Sequence, residues 1–195
     1  MASPTTAENA PELTGVNNMP ELHIRMAQPT DYPAIIAMGE TADMGTLEGF
    51  EDTLIAEIFQ PTRGANAHKG TKAKGAEDAA SAGLGESLAE SALEGAPMLA
   101  GFCRIRIYSG VAHVNPIVVA ETLRGMHIGE RLMHVARERY GELRFVARGY
   151  AVGFYEKLGC TPCTWEDIAP EVAGDCDGCT ALESCKPFPM RFPVA

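Results

Sequence analysis

Between Leu123 and Met133 the sequence reads LRGMHIGERLM. Gly125 and Gly129 let a backbone approach a bulky anion, and Arg124 adds a cation. Ile128, Leu132, Val135 and Ala136 then recur at helical spacing until Gly141. A helix N-terminus offers unpaired amides and the positive end of its dipole, so the segment suits a phosphate or pyrophosphate. It is not a P-loop, because no Gly-Lys-Ser/Thr follows. It is not a dinucleotide fingerprint either, because the glycine spacing differs and no βαβ unit surrounds it. His127 stands where glycine is favoured. Helical dihedrals at that position need no glycine, and backbone amides, which histidine keeps, make the phosphate contacts. The imidazole either points away from the anion or touches it, and contact favours its charged form. His127→Gly is therefore expected to retain binding of the ligand.

The elements that must position this loop are read from periodicity. Residues 1–20 form an aperiodic, polar tail that reads as disordered. Leu22, Ile24 and Met26 alternate with polar residues as a half-buried strand. PTDYPAIIAMGE then predicts a helix with Thr30 as cap, Pro33 in the first turn and Ile35, Ile36 and Met38 on its apolar face. Phe50, Leu54, Ile55 and Ile58 suggest a second helix in LEGFEDTLIAEIFQ. Residues 61–97 change to Gly, Ala and Ser with a basic half and an acidic half, and read as an inserted loop with a frayed helix near ESLAESALE.

Order returns with a strand in which Phe102, Arg104 and Arg106 alternate with Cys103, Ile105 and Ile107. Ser109-Gly110 predicts a hairpin turn into VAHVNPIVV, with a bulge or splay at Pro116, which cannot donate to a ladder. After the glycine loop and its helix come a short strand in ELRFVARG, a short helix in AVGFYEKLG and a final strand pair interrupted by cysteines. This order describes a mixed α/β sheet with helices on its faces.

The chain has 195 residues, 46% of them hydrophobic, enough for one domain with a buried core. A net charge of -10 argues against a general nucleic-acid binder, which needs a basic face. The polar N-terminus predicts no secretory signal, and no apolar run is long enough to span a bilayer. The expectation is a cytoplasmic protein without nucleic-acid or membrane partners. Five of the six cysteines lie between 160 and 185, with spacing Cys-x2-Cys-x12-Cys-x2-Cys-x5-Cys. Paired Cys-x-x-Cys knuckles are used in structural zinc sites. On a strand, Cys160 and Cys163 would face opposite ways, which leaves Cys163, Cys176, Cys179 and Cys185 as the candidate zinc ligands. Redox-sensitive thiols or cysteines without a special role are the alternatives.

Two motifs together carry a family resemblance. Arg124-Gly125-Met126-His127-Ile128-Gly129 resembles the pyrophosphate loop of the GNAT acetyltransferase superfamily. Ala151, Phe154, Tyr155, Glu156, Lys157 and Gly159 resemble its later Ala-x-x-Phe-Tyr-Glu-Lys-x-Gly helix. The likeness covers roughly residues 21–60 and 97–165. It implies a GNAT-type mixed, mostly antiparallel twisted sheet flanked by helices, spanning 21–195. Departures are His127 for glycine, Glu121 where proline is common, and Arg148 where asparagine often contacts the cofactor. The segment that usually supplies the second strand falls within or beside the insertion. At Cys160 the family usually carries an aromatic core residue, so this thiol is expected to be buried.

The resemblance further implies acetyl transfer from acetyl-CoA to a primary amine, a small molecule or a peptide, by direct attack on the thioester. Cofactor contacts would come from Ile117, Val118 and Val119, the loop residues Arg124 to Gly129 (Met126, His127 and Ile128 included), Arg148 and Ala151. Tyr155 would be the general acid, and Glu121, His113, Glu40, Asp43 and Glu48 remain open as the base. Arg104 and Arg106 are either solubilising or acceptor-binding. Acceptor specificity is expected around GETADMGTLEG and near the C-terminal strands, and a homodimer is compatible with the sequence. The alternative is an acyl-CoA-binding sensor on the same fold, without catalysis, responsive to metal or redox state.

Overall fold

Alternation of apolar and polar residues at Leu22, Ile24 and Met26 gives β1 (Glu21–Met26), an edge strand of a seven-stranded sheet in the computed structural model. The structure describes residues 21–45, 47–59 and 97–194. The expected N-terminal tail, nearly all of the insertion and its frayed helix lie outside the described residues. A 3-10 turn, Pro29–Asp31, leads into α1 (Tyr32–Thr41), which buries Ile35. Thr30 does not cap this helix. Because of the intervening turn, it is the Asp31 carboxylate that turns back to accept from the Gln28 amide at 2.7 Å.

The expected second helix is a strand. Thr53–Phe59 forms β2, paired antiparallel with β1 on one side and with β3 (Pro97–Tyr108) on the other. Thr53 to Ile58 are all buried, so both faces are covered and the apolar residues run almost without interruption. Such a run fits a helical period by chance, while its β-branched threonine and isoleucines favour the pleat. The second strand therefore lies directly beside the insertion.

Turning at Ser109 and Gly110, both at positive φ, β3 pairs with β4 (Val111–Val119). Val114 lies opposite Ile105 and Ile117 opposite Cys103, so Asn115 and Pro116 together oppose Arg104 as a bulge. The bulge exchanges the faces of the strand. Ala112, Val114, Ile117 and Val119 all pack toward one core, whereas Val118 turns to the other. A Cβ on Gly101 would lie 2.7 Å from the Val118 carbonyl oxygen, so glycine permits the close pairing here.

Beyond the loop, α2 (Ile128–Tyr140) buries Ile128, Leu132, Met133 and Ala136 against the sheet, and Gly141 at φ 79 ends it. The chain continues through β5 (Leu143–Ala147), α3 (Val152–Lys157) and β6 (Thr161–Pro162). Two four-residue helices follow, α4 (Pro170–Ala173) and α5 (Leu182–Cys185), before β7 (Phe188–Phe192). β7 lies between β5 and β6, so the sheet order is β1-β2-β3-β4-β5-β7-β6. Every pair is antiparallel except β4–β5. One core lies under α2 and α3; a smaller one, built on Ile35, Leu47, Ile55, Phe102 and Val118, lies under α1. No helix among the described residues is long and apolar enough to cross a membrane.

Glu57 is a carboxylate at 9% exposure in the middle of β2. Arg25 of β1 grips it with Nη2–Oε1 2.7 Å and Nε–Oε2 3.0 Å, and donates to Asp31 at 2.7 and 3.0 Å. One guanidinium thus ties β1, β2 and the entry to α1 together, and holds the Asp31 carboxyl below the usual carboxylate range. Because that folded-state pKa is depressed, its contribution is present above about pH 3.9 and is lost as pH falls through the depressed value. Arg25→Met should lower the unfolding free energy by about 2–3 kcal/mol, the partial exposure of Arg25 keeping the loss below that of a fully buried pair. Urea denaturation at neutral pH measures it; a loss below about 0.5 kcal/mol would place these charges with weak surface pairs.

Candidate active site

β4 and β5 pair as parallel strands only at Ala112–Leu143 and His113–Arg144, then diverge. Past His113, β4 keeps its partner on the β3 side and has none on the other among the described residues. The Ala120 amide donates to Ala100 at 2.9 Å on the β3 side, so by alternation Val118 also points its backbone at β3. Ile117 and Val119 consequently present their amides and carbonyls to the gap. Such unpaired groups need water or a ligand as partner.

Two clefts follow the free edge. One, of about 670 Å³, runs between Val114–Ile117 of β4 and Phe145–Ala147 of β5 with Arg148 just beyond, and has Ala151 and Tyr155 in its wall. The other, of about 460 Å³, is lined by Val118, Val119, Glu121 and Arg124 against α1. Of the residues expected to bind the cofactor, Ile117, Arg148 and Ala151 thus share the larger cleft, while Val118, Val119 and Arg124 share the smaller.

The loop lies at the end of this edge. Leu123 and Met126 pack on the core and Ile128 is buried, so apolar anchors hold it on both sides. The amides of Ile128, Gly129 and Glu130 find no backbone acceptor among the described residues, and no side chain caps α2. Gly125 has φ 85, open to glycine at little cost. His127 departs from expectation: at φ 58, ψ 15 it is left-handed, not helical. Glycine is the natural occupant of such a position, and histidine is among the side chains that tolerate it. The ring is exposed, with Nδ1 donating to Glu130 Oε2 at 2.7 Å.

Tyr155 of α3 is 8% exposed, its ring 4.5 Å from Phe145 and 5.0 Å from Phe154 between centroids. Burial, with smaller contributions from Cys103 and Cys160, pushes its hydroxyl above the ordinary phenol range and keeps it protonated at neutral pH. Among the described residues the buried side-chain polar atom without a partner is Arg104 Nε. The Tyr155 hydroxyl has no hydrogen-bond partner among the described residues, and Tyr155 lines the larger cleft.

The candidate bases separate clearly. His113 is 1% exposed, donates from Nδ1 to the Val111 carbonyl at 3.1 Å and accepts at Nε2 from the Ala169 amide at 3.1 Å. Burial lowers its pKa, and with both nitrogens occupied it is a structural imidazole, not a base. Glu40 is exposed on α1 and lines neither cleft, and Glu121 lies at the smaller one. Asp43 and Glu48 line the larger cleft, joined by Glu171 and Asp175, which sequence reasoning missed. Asp175 accepts from Asn115 Nδ2 at 2.6 Å, which fastens the C-terminal segment to the bulge. Nothing in the three-residue 3-10 turn Gly174–Cys176 signals that role in the sequence. Arg148 is likewise not a free cation, since it donates to the Asp43 carbonyl at 3.0 Å and spans from β5 to the loop after α1.

The proposed zinc ligands are not brought together. Among the described residues no three His, Cys, Asp or Glu side chains form a group that could hold a metal ion. Cys163 follows the β6 edge, its amide bonded to Pro189, whereas Cys176, Cys179 and Cys185 line the larger cleft. Cys160 is buried as expected, and burial pushes its thiol up to about 12. Burial also raises Cys163 and Cys176, the opposite of a reactive thiolate.

The comparisons with known proteins agree with this geometry. Residues 78–161 match the family model described as an acetyltransferase (GNAT) domain. N-acetylglutamate synthase from Neisseria gonorrhoeae, complexed with coenzyme A and N-acetyl-glutamate, is similar in fold, with TM-score 0.52 and 16% identity. The match covers 90% of this chain but only 35% of the synthase. Ard1 from Thermoplasma volcanium has TM-score 0.51 and 16% identity, over 89% of this chain and 98% of that one. Nourseothricin acetyltransferase has TM-score 0.50 and 17% identity, over 89% and 99%. No curated protein matches the sequence. Residues 78–161 thus match a GNAT domain model, and the fold is that of these acetyltransferase structures.

The left-handed backbone at residue 127 generates a prediction. His127→Gly should leave the unfolding free energy within about 1 kcal/mol and retain coenzyme A binding, because strain relief offsets the freer unfolded chain. His127→Val should cost about 1–3 kcal/mol, since a β-branched side chain is poorly tolerated at positive φ. Thermal melts and coenzyme A titrations of both variants measure this; equal stability of the two would refute the left-handed assignment.

Proposed function

We propose that the protein transfers the acetyl group of acetyl-CoA to a primary amine by direct attack, without a covalent enzyme intermediate. The observation that carries this reading is the placement of Tyr155 in the same cleft as Ile117 on the unpaired edge of β4. Acetyl-CoA suits the residues present. Its pyrophosphate fits the three free amides at the α2 N-terminus with Arg124 nearby, and its amide-bearing arm fits a strand edge that lacks a partner.

The chemistry follows from these groups. An amide of the free edge, at Ile117 or Val119, donates to the thioester carbonyl and favours the tetrahedral, oxyanionic arrangement. The amine nitrogen forms the new C–N bond, and collapse breaks the C–S bond. The departing thiolate takes the Tyr155 proton. An acceptor that arrives as ammonium must first lose a proton, through water, to carboxylates of the cleft such as Asp43 or Glu48. As the amide forms, its nitrogen gives up a second proton through the same relay, which restores Tyr155 and leaves one proton per turnover in solution.

Tyr155→Phe should lower kcat about 10²–10⁴-fold with coenzyme A affinity unchanged, because the ring packing is kept and only the proton donor is removed. With the Tyr155 hydroxyl protonated across the working range, the wild-type rate should rise with pH toward 9 as acceptor amine is deprotonated. Thiol release from acetyl-CoA with an amine panel measures both. Turnover by Tyr155→Phe within threefold of wild type would remove the tyrosine from the mechanism. Coenzyme A binding without turnover on any amine would favour the non-catalytic sensor.

A further inference from the structure

The acceptor side of the larger cleft holds a cation arrangement that the acetyl-transfer chemistry leaves unused. Arg104 and Arg106 project from one face of β3, and both line the cleft. Arg104 is 6% exposed, yet neither arginine has a carboxylate partner among the described residues. Both donate Nη2 to the carbonyl of Glu48, Arg106 at 3.1 Å, and Arg104 Nε is left buried without an acceptor. Two like charges thus share one neutral oxygen at the base of an open cleft.

That is a costly arrangement for a protein to keep empty-handed. A buried guanidinium ordinarily has a carboxylate partner, and an unpaired donor costs its full desolvation. Burial first, then the charge of Arg106, lowers the pKa of Arg104, against smaller opposing effects of Tyr108, Tyr32 and Glu48. The pair also sits where the acceptor must lie. Arg104 is opposite the Asn115–Pro116 bulge and next to Cys103, the partner of Ile117. Glu171 and Asp175 line the same cleft and provide negative charge, which suits an ammonium and disfavours a dianionic phosphate.

We infer that the acceptor is a small amine carrying its own carboxylate, an amino acid in the chemical sense, whose carboxylate is held by Arg104 and Arg106 while its amine faces the free edge of β4. This assignment rests on the acetyl-transfer reading of the same cleft. The arginines bind rather than react, so their loss acts on KM before kcat.

The test uses the full chain, acetyl-CoA and matched acceptor pairs, each amino acid against its carboxamide, with phosphoethanolamine as an anionic control. The expected result is a kcat/KM at least 10-fold higher for the free carboxylate than for the carboxamide. Arg106→Gln should then shrink that ratio at least 10-fold, mainly through KM, and Arg106→Lys should restore part of it. Because Arg104 is buried, Arg104→Gln is read only where its thermal melt matches wild type; Arg106 sits partly in solvent and keeps the test open. Carboxamides turned over as well as carboxylates, preference for phosphoethanolamine, or a ratio indifferent to Arg106→Gln would each overturn the inference while leaving acetyl transfer standing. No thiol release from any amine, with coenzyme A still bound, would overturn the transferase reading and this inference with it.

Discussion

The structure depends on one interrupted pairing. Parallel strands β4 and β5 share two residue pairs and then separate, while β4 stays paired to β3 on its other side except at the Asn115–Pro116 bulge. A sheet that stops hydrogen bonding in its middle leaves backbone donors and acceptors that must be satisfied by something other than the protein. Ile117 and Val119 carry those groups. The glycine loop, the N-terminus of α2 and the Tyr155 hydroxyl are all arrayed along the same opening.

Several local features keep the opening in place. The bulge at Asn115–Pro116 turns Val118 into the α1 core while Ile117 and Val119 pack toward the α2 core, so the free edge is gripped from both faces. His113, just before the divergence, ties β4 to the segment that follows β6 through Ala169. Far across the sheet, Arg25 secures β1 and the entry to α1, which forms one wall of the smaller cleft. These contacts fix the scaffold, and the loop after α1 and the C-terminal segment complete the walls of the larger cleft. Arg148 and Asn115 connect those walls to the sheet.

Features set by local spacing were legible in the sequence. The alternation in β1, the helix after the glycine loop, the hairpin at Ser109-Gly110 and the AVGFYEKLG helix all follow from neighbouring residues, and so does the family resemblance. Features set by distant partners were not. TLIAEIF was read as a helix because burial on both faces erases the strand period. His113 looked available because the amide that occupies it belongs to Ala169, and Arg104 and Arg106 stayed open between solubilising and acceptor-binding roles because Glu48 and the cleft wall come from elsewhere in the chain. The Cys-x-x-Cys spacing suggested zinc, yet the fold sends Cys163 to the sheet edge. His127 illustrates a further limit, since residue identity does not distinguish a helical from a left-handed start to α2.

The central claim is that the free edge of β4 is the cofactor's partner. Amide hydrogen exchange resolved at Ile117, Val118 and Val119, with and without coenzyme A, tests it most directly. The account predicts that Ile117 and Val119 exchange fast in the free protein, that Val118 is protected by β3, and that saturating coenzyme A slows Ile117 or Val119 at least tenfold with little change at Val118. Equal protection of all three in the free protein, or no change at Ile117 and Val119 on saturation, would contradict it.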